Sequence, residues 1–354
     1  MTHGSYHDGA RLLADIGGTN ARFALEYAAG ALTAMQTLAC DAYPRFEDVL
    51  RAYLDGVGGG VRHAVIAIAN PVAGDAIRMT NHHWAFSIAA AKRELCLDTL
   101  LLVNDFTALA MALPGLRADE TTKVGGGQAQ AGGVIGLVGA GTGLGVSALV
   151  PAGGDWVALQ SEGGHVAFSP SDPNEVAVLE YCWRRFDHVS AERMVSGPGI
   201  ALIREALAVS RDLPADLSLG TGDIVERALA GADALCRETL DCFCGMLGTV
   251  AANLAVTLGA TGGAYIGGGV VPRLGDYFAG SPFRARFENK GRFSAFTAQI
   301  PTILITSSFP ALGGAAAVLA RHLAATHAAP AATAATGSAM APPQPTMDIH
   351  HASY

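Results

Sequence analysis

The sequence is poor in charge: 15% of its 354 residues are Asp, Glu, Lys or Arg, and 7% are aromatic. A globular chain usually has about 25% charged residues. Together with a mean hydropathy of +0.31, this raises the question of a membrane protein. Two charge-free stretches, 129–154 and 242–272, are long enough to cross a bilayer. Both are interrupted by glycines that would leave backbone groups unpaired in lipid, so we expect buried strands and helices instead.

Other absences narrow the function. Residues 1–10 contain no apolar run, so we expect no signal peptide and a cytoplasmic location. The net charge is −8 and no basic stripe offsets it, which disfavours nucleic acid as a partner. The six cysteines include no CxxC pair, which favours buried, reduced thiols over a zinc site. A GxxxxGK motif is missing as well, so no P-loop is predicted.

Glycine, in contrast, is abundant. The chain has 44 glycines, well above the usual share of about 7%. Many of them cluster between apolar segments at three places, which we call the first glycine turn (17–20), the second glycine turn (139–143) and the third glycine segment (267–269).

Strand and helix signals alternate from residue 11 to about 323, which indicates an α/β fold. Apolar strands over 11–16 and 21–27 flank the first glycine turn, and strands over 134–138 and 144–150 flank the second. This repetition predicts a second domain of related build. The segment 324–354 is rich in Ala and Pro, and we expect a disordered tail there, with Ala runs that can extend the preceding helix by a turn or two. Residues 1–10 are likewise expected to be disordered.

The glycine turns are candidate phosphate sites. Tight turns let backbone N–H groups converge on an anion, and an acidic residue at the end of the preceding strand can serve a Mg²⁺-phosphate. The candidate residues are Asp15, Gly17, Gly18, Thr19 and Asn20 in the first turn, and Gly139, Gly141, Thr142 and Gly143 in the second. Two such turns suggest that one polyphosphate is bound between them, although a lone glycine pair is equally typical of an ordinary hairpin. Gly267, Gly268 and Gly269 could let a flat base approach, or could simply turn the chain.

Four acidic or imidazole side chains are candidates for work on a hydroxylated substrate. Asp105 follows a predicted strand over 100–103, and it could be a general base or the N-cap of a helix over 107–113. Glu162 and His165 flank two glycines and suit several hydroxyls of a sugar. Glu192 could accept another hydroxyl, although a Glu beside an Arg is more often in a surface ion pair.

In this order, the pieces resemble the bacterial glucokinase family of the sugar kinase, heat-shock chaperone and actin superfamily. The resemblance spans about 11–323 and rests on several separate motifs. These are ADIGGTNAR (14–22), MTNHHWAFS (79–87), NDFTA (104–108), GAGTGLG (139–145), EGGH (162–165), SAER (190–193), SGPG (196–199) and GGGVVPR (267–273).

The resemblance implies two domains of ribonuclease H-like, actin-like ATPase build with a cleft between them. The small domain would comprise 11–114 plus 306–323, and the large domain 115–305. Asp105 would take the proton from the 6-hydroxyl of glucose, while Asn104, Glu162, His165 and Glu192 would hold the other hydroxyls. The family also implies a homodimer.

Mg-ATP would complete this family site. The first glycine turn with Ala14, Asp15 and Ile16, and the second glycine turn, would grip the phosphates, and the third glycine segment would lie near the adenosine. No metal site made of protein ligands alone is expected, because Mg²⁺ would arrive on ATP with Asp15 nearby.

Two other functions stay open. A sugar-responsive regulator with this fold should carry a DNA-binding module, and only ten residues precede the first strand. A chaperone-like or filament ATPase would have no use for the hydroxyl-binding set of Glu162, His165 and Glu192.

Overall fold

The computed structural model describes residues 5–214 and 216–328, and in them the predicted α/β class is confirmed. The strands are β1 Arg11–Ile16, β2 Asn20–Glu26, β3 Leu32–Ala39, β4 His63–Ile68, β5 Ala76–Arg78, β6 Ala85–Ser87, β7 Thr99–Asn104, β8 Thr121–Val124, β9 Ile135–Ala140, β10 Leu144–Ala152, β11 Asp155–Ser161, β12 Gly263–Gly267 and β13 Thr302–Ile305. The helices are α1 Phe46–Gly56, α2 Ile88–Glu94, α3 Asp105–Ala112, α4 Pro173–Trp183, α5 Ala191–Met194, α6 Gly197–Val209, α7 Thr221–Leu229, α8 Ala234–Leu258, α9 Asp276–Gly280, α10 Phe283–Glu288, α11 Ser294–Gln299 and α12 Pro310–Ala328.

Two sheets with the same strand order form the framework. The first has five strands in the order β3-β2-β1-β4-β7, and the second has six in the order β11-β10-β9-β12-β13-β8. The strand that is first along the chain is β1 in the first sheet, and its counterpart in the second sheet is β9. Each of them has two antiparallel hairpin strands on one side and two parallel strands on the other. The repetition predicted from the glycine turns is therefore present in the strand order, and β8 is an antiparallel addition to the second sheet.

The first sheet is covered on both faces. Side chains of α1, such as Phe46 and Tyr53, pack with Leu12, Ile16 and Trp84 on one face. On the other face, α12 packs its apolar side against β1, β2 and β4, including Leu13, Ala24 and Val65. The C-terminal helix α12 therefore packs on the sheet that is formed by the N-terminal strands. The residue bounds given above for the two domains stay a prediction.

Helix α3 leaves the end of β7 and lies between α12 and the second sheet. Three glycines permit this placement. A Cβ at Gly314 of α12 would lie 1.7 Å from the carbonyl oxygen of Ala108, one at Gly145 of β10 would lie 2.0 Å from the Phe106 ring, and one at Gly267 would lie 2.9 Å from Leu109 Cδ2. The position of α3 is therefore set by backbone approaches that a side chain would prevent.

The N-terminal end of the chain is more ordered at Tyr6 than predicted. The Tyr6 hydroxyl donates a 3.0 Å hydrogen bond to Glu26, and the Arg11 guanidinium lies 3.5 Å from the centre of the Tyr6 ring. The prediction of disorder is therefore wrong for this residue, because Tyr6 closes over a buried carboxylate. Helix α12 runs to Ala328, which is within the extension by a turn or two that is predicted for the Ala runs after residue 323. Residues 1–4 and 329–354, where disorder is also predicted, lie outside the described residues.

Buried helix and strand do occupy the apolar stretch 242–272, as predicted. Helix α8 is long and apolar enough to pass for a membrane span, but 78% of its most apolar window is buried inside the fold. Three of the cysteines, Cys236, Cys242 and Cys244, are buried on it, as Cys40 and Cys182 are elsewhere. Cys96 is exposed, so the expectation of buried thiols is wrong there.

Substituting the two adjacent glycines of α12 should change stability in opposite directions. The Gly314→Ala substitution should lower the free energy of unfolding by about 1–3 kcal/mol or more, because the new methyl group must push α3 away. The Gly313→Ala substitution should raise it by about 0.5–1 kcal/mol, because a Cβ there meets nothing within 4 Å and alanine favours the helix. Urea unfolding of both variants measures the difference, and equal effects would contradict the packing of α3.

Candidate functional site

The site is built around the junction of β7 and α3. Asn104 ends the strand and, as the N-cap of α3, its Oδ1 accepts hydrogen bonds from the N–H groups of Phe106 (3.0 Å) and Thr107 (3.1 Å). Its Nδ2 donates a 3.1 Å hydrogen bond to Asp105 Oδ1. The alternative in which Asp105 caps the helix is therefore wrong: Asn104 has that role, and Asp105 is the first helical residue.

Asp105 has an unusual acidity for a carboxyl group. Burial, and after it the nearby negative charge of Asp15, raise its pKa from 3.8 to about 6. Hydrogen bonds from the Phe106 N–H and the Asn104 side chain act in the opposite direction but do not outweigh the burial. The group is therefore ionised at neutral pH, with a pKa close enough to neutrality to accept and release a proton.

Asp15 lies opposite Arg22 in the β1–β2 hairpin. Arg22 donates a 3.1 Å hydrogen bond to Asp15 Oδ2, and the Asp15 side chain is 21% exposed. Burial nevertheless raises the pKa of Asp15 against the opposing effect of Arg22. Sequence reasoning gave Arg22 no role, although the register of the predicted hairpin places it across from Asp15.

The first glycine turn closes through a 3.0 Å hydrogen bond from the Gly17 N–H to the Asn20 carbonyl. Gly17 leaves room for a ligand, since a Cβ there would be 3.8 Å from its nearest neighbour. Gly18 has another purpose, because a Cβ would lie 2.7 Å from the Asn81 carbonyl oxygen. Thr19 is exposed at the tip. The side chains of Ala14 and Ile16 are fully buried in the first core, so only their backbone atoms could contact a ligand.

In the second glycine turn, the members differ in the same way. The Gly141 N–H donates a 2.8 Å hydrogen bond to the Gly143 carbonyl, Thr142 is exposed, and a Cβ on Gly141 would meet nothing within 4 Å. At Gly143, a Cβ would lie 2.4 Å from Glu192 Oε2. A glycine at position 143 therefore leaves room for the Glu192 side chain. Gly141 is the member of the turn that leaves space for a ligand.

Glu192 joins this turn to a second group of polar side chains. Its Oε2 accepts a 2.9 Å hydrogen bond from the Leu144 N–H, and its Oε1 lies 4.0 Å from His165 Nδ1. His165 Nε2 is in turn 3.9 Å from Glu162 Oε2. The ion pair with Arg193 that the sequence allows is absent, since Arg193 stacks on Phe186 instead. The structure thus brings together the predicted trio of Glu162, His165 and Glu192.

Most glycines at the end of β12 allow neighbouring backbone to approach closely. Gly268 has φ +82°, and a Cβ there would lie 2.2 Å from the Ala140 carbonyl oxygen. A Cβ on Gly139 would lie 2.7 Å from the Gly267 carbonyl carbon. Only Gly269 of the third segment has nothing within 4 Å. Space for a flat base is therefore open beside Gly269, whereas a Cβ on Gly139, Gly267 or Gly268 would meet protein atoms.

Placing the Asp105 carboxylate here destabilises the fold. Its pKa lies about 2 units above the ordinary value of 3.8, so the folded protein loses up to about 3 kcal/mol as pH rises from 4 to 6. An Asp105→Asn substitution should therefore leave stability nearly unchanged at pH 4 and raise it increasingly up to pH 6, with a constant gain above that. Thermal unfolding across this pH range measures the gain. The same substitution at the exposed Asp55 should not reproduce the pH dependence; a pH-independent gain at Asp105 would contradict the raised pKa.

Comparisons with known proteins agree with this geometry. The family model described as Glucokinase matches residues 12–322. The glucokinase of Chromobacterium violaceum is 55% identical over 315 residues, 89% of this chain and 90% of that protein. The bifunctional protein glk of Burkholderia pseudomallei is 58% identical over 317 residues, 89% of this chain but 49% of that protein. The chain thus spans about half the length of this bifunctional relative.

Solved structures give the same result. A glucokinase from an Antarctic psychrotroph has a TM-score of 0.80 at 34% identity, covering 89% of this chain and 100% of that one. At 21% identity, the glucokinase of Balamuthia mandrillaris in complex with glucose shares the fold, with a TM-score of 0.75 and coverage of 88% and 94%. The predicted two-domain, actin-like ATPase build is confirmed. The matched family model and the close relatives show that this chain belongs to the glucokinase family.

Proposed function

We propose that this protein transfers the γ-phosphoryl group of ATP to the 6-hydroxyl of D-glucose, giving glucose 6-phosphate and ADP. The observation that carries the proposal is the Asp105 carboxylate, partly buried at the start of α3 with its pKa raised to about 6, in a chain of the glucokinase family. The reaction would be the first step of glycolysis.

Asp105 is the general base in this mechanism. One of its carboxylate oxygens takes the proton of the 6-hydroxyl. At the same time the hydroxyl oxygen forms a bond to the γ-phosphorus, and the bond from that phosphorus to the departing ADP breaks. Its pKa near 6 keeps it ionised at neutral pH and makes it more basic than an exposed carboxylate. Asn104 orients it through the 3.1 Å hydrogen bond to Oδ1.

The remaining sugar hydroxyls are assigned to Asn104, Glu162, His165 and Glu192. Carboxylates accept hydrogen bonds from hydroxyls, and an amide or imidazole can both donate and accept, so the set can bind a polyhydroxylated ring on several sides. The carboxylates of Glu162 and Glu192 flank His165 at 3.9 and 4.0 Å, and the side chains of Glu162 and His165 are more than half exposed. They are thus free to exchange water for a ligand.

The nucleotide is assigned to the glycine turns. Gly17, Gly141 and Gly269 leave the open spaces that a side chain would fill, and Thr19 and Thr142 add exposed hydroxyls. Mg²⁺ carried on ATP would neutralise charge on the phosphates. Asp15 is the carboxylate nearest to that role, and among the described residues no cluster of three or more His, Cys, Asp or Glu side chains could hold a metal by itself.

Quaternary structure and location complete the proposal. A homodimer and a cytoplasmic location are expected from the resemblance and from the sequence, and they stay predictions. Size-exclusion chromatography with light scattering would test the first.

Release of ADP from Mg-ATP should depend on a hexose and on Asp105. We expect activity with glucose in a panel that includes mannose and glucosamine, and a loss of about 10²- to 10⁴-fold in kcat for Asp105→Asn. The Asp55→Asn variant is the control and should keep full activity. Sugar-independent ADP release, as a chaperone-like ATPase would show, or full activity of Asp105→Asn, would overturn the kinase assignment.

Activity should also report the acidity of Asp105. Only the ionised carboxylate can accept the proton, so kcat/KM for glucose should fall about tenfold per pH unit below a pH of about 6 and level off above it. Initial rates measured over a series of pH values at which the enzyme is stable would show this decrease of kcat/KM. A limb near pH 4 would mean that burial does not raise the pKa of the base.

The assignment of the second glycine turn can be tested at its open member. A Gly141→Ala substitution has space in the fold, so the Tm should be unchanged, but the new methyl group should raise KM for ATP by about tenfold or more if phosphate lies against this turn. Gly56→Ala, which also has open space, serves as the control. An unchanged KM for ATP in Gly141→Ala would place the phosphates elsewhere.

A further inference from the structure

Asn70 lies beside the site and makes an unusual set of contacts. It follows β4 at the sheet edge where β7 ends, since Ile68 and Asn104 are register partners, and it is only 9% exposed. Its Oδ1 accepts two hydrogen bonds from Thr80, one from the N–H at 2.9 Å and one from Oγ1 at 2.6 Å. Its Nδ2 donates to the Pro71 carbonyl at 2.9 Å, so every polar atom of the buried side chain is bonded.

Thr80 belongs to the loop 79–84 that joins β5 to β6. The far end of this loop is fixed in the first core, because Trp84 is buried and its Nε1 donates a 3.0 Å hydrogen bond to the Tyr43 carbonyl. At the near end, Asn70 supplies the hydrogen bonds found for Thr80 in the described part of the chain. The preceding Met79 is buried, and its N–H donates a 3.0 Å hydrogen bond to the Trp84 carbonyl. Thr80 itself is exposed, so its position depends on the bonds to Asn70 rather than on packing.

Loop 79–84 contacts one part of the proposed site directly and is connected to another part through Asn70. Asn81, next to Thr80, places its carbonyl oxygen against Gly18 of the first glycine turn. On the other side, the Asn70 carbonyl accepts a hydrogen bond of 3.4 Å from Asn104 Nδ2, the same group that donates to Asp105. Asn70 is therefore the point at which this loop, the first glycine turn and the Asn104–Asp105 pair are connected.

We propose that Asn70 is a positioning residue for the sugar: its side chain, bonded to Thr80 of loop 79–84, keeps its main-chain carbonyl against Nδ2 of Asn104, one of the residues assigned to the sugar. The inference rests on the proposed function for its activity readout. Without the two hydrogen bonds, residue 70 would have to be ordered against Asn104 when the sugar binds, and that cost would weaken binding. The chemical step would be unaffected once the sugar is bound, because Asp105 keeps its own contacts to Asn104 and to the Phe106 N–H.

The test compares KM and kcat for glucose at saturating Mg-ATP and pH 8. Thr80→Val removes one hydroxyl and keeps the shape, and it should raise KM about 3- to 10-fold with kcat within twofold of the original. Asn70→Ala removes both bonds and should raise KM about 10- to 50-fold. Thr80→Ser keeps the hydroxyl and should restore the original KM. Thr33→Val, at an exposed threonine of β3 away from the site, is the matched control and should change neither constant.

A double-mutant cycle distinguishes this role from general destabilisation. Adding Thr80→Val to Asn70→Ala should raise KM no further, because the partner oxygen is already gone. Independent, additive effects, an unchanged KM in both single variants, or a loss confined to kcat would overturn the proposal.

A second readout does not depend on activity. Amide hydrogen exchange of a peptide covering 79–84 should be faster in Asn70→Ala than in the unaltered protein, with exchange in α8 unchanged. Absence of sugar-dependent ADP release in the unaltered protein would overturn the proposed function, whereas unchanged exchange of the loop would overturn the role of Asn70 alone.

Discussion

The placement of α3 is the constraint on which the site depends. The helix carries Asp105 at its first position and lies against α12, β10 and β12. Each of these elements has a glycine at the contact, which leaves room for a residue of α3: Gly314 for Ala108, Gly145 for Phe106 and Gly267 for Leu109. These contacts join an element that follows the first sheet to the second sheet and to the last helix. Because a backbone carbonyl, an aromatic ring and a leucine methyl group of α3 pack directly on glycine backbone, α3 has little freedom to shift, and the carboxylate at its start is held with it.

The same placement explains the chemistry of Asp105. A carboxylate removed from water and near a second carboxylate, Asp15, is less acidic than an exposed one, and the hydrogen bonds from Asn104 and Phe106 offset this only partly. The protein loses stability at neutral pH to keep the ionised group there. Nothing in the packing of α3 requires an acid at this position, since the cap is supplied by Asn104. A destabilising group kept at a site of converging polar side chains is what a functional residue is expected to look like.

Sequence reasoning could predict features that depend on local pattern. The β1–β2 and β9–β10 hairpins, the strand before Asn104 and the helix after it follow from apolar runs ended by glycine or by a capping residue. It did not find β3, most of whose residues are exposed and lack alternation, or the short polar strand β8. It also could not assign the glycines one by one. Whether a missing Cβ makes room for a ligand or for the protein depends on partners distant in sequence, such as Glu192 for Gly143 and Asn81 for Gly18.

The glycine contacts on the two sheets have a common consequence. In the first sheet, Gly18 of the first glycine turn lies against Asn81, in the loop that Asn70 connects to Asn104 and Asp105. In the second sheet, Gly143 lies against Glu192, whose other oxygen faces His165. In the second sheet, a group assigned to the sugar therefore rests directly on a glycine of a turn assigned to phosphate, and in the first sheet the loop connected to Asn104 does so. Phosphoryl transfer requires the hydroxyl oxygen and the γ-phosphorus to come within bonding distance, so a phosphate turn and a sugar site must lie close together. A Cβ on Gly18 would displace the Asn81 backbone, and one on Gly143 would displace the Glu192 carboxylate, so in each half the turn proposed for phosphate and its neighbour approach closely because the residue is glycine.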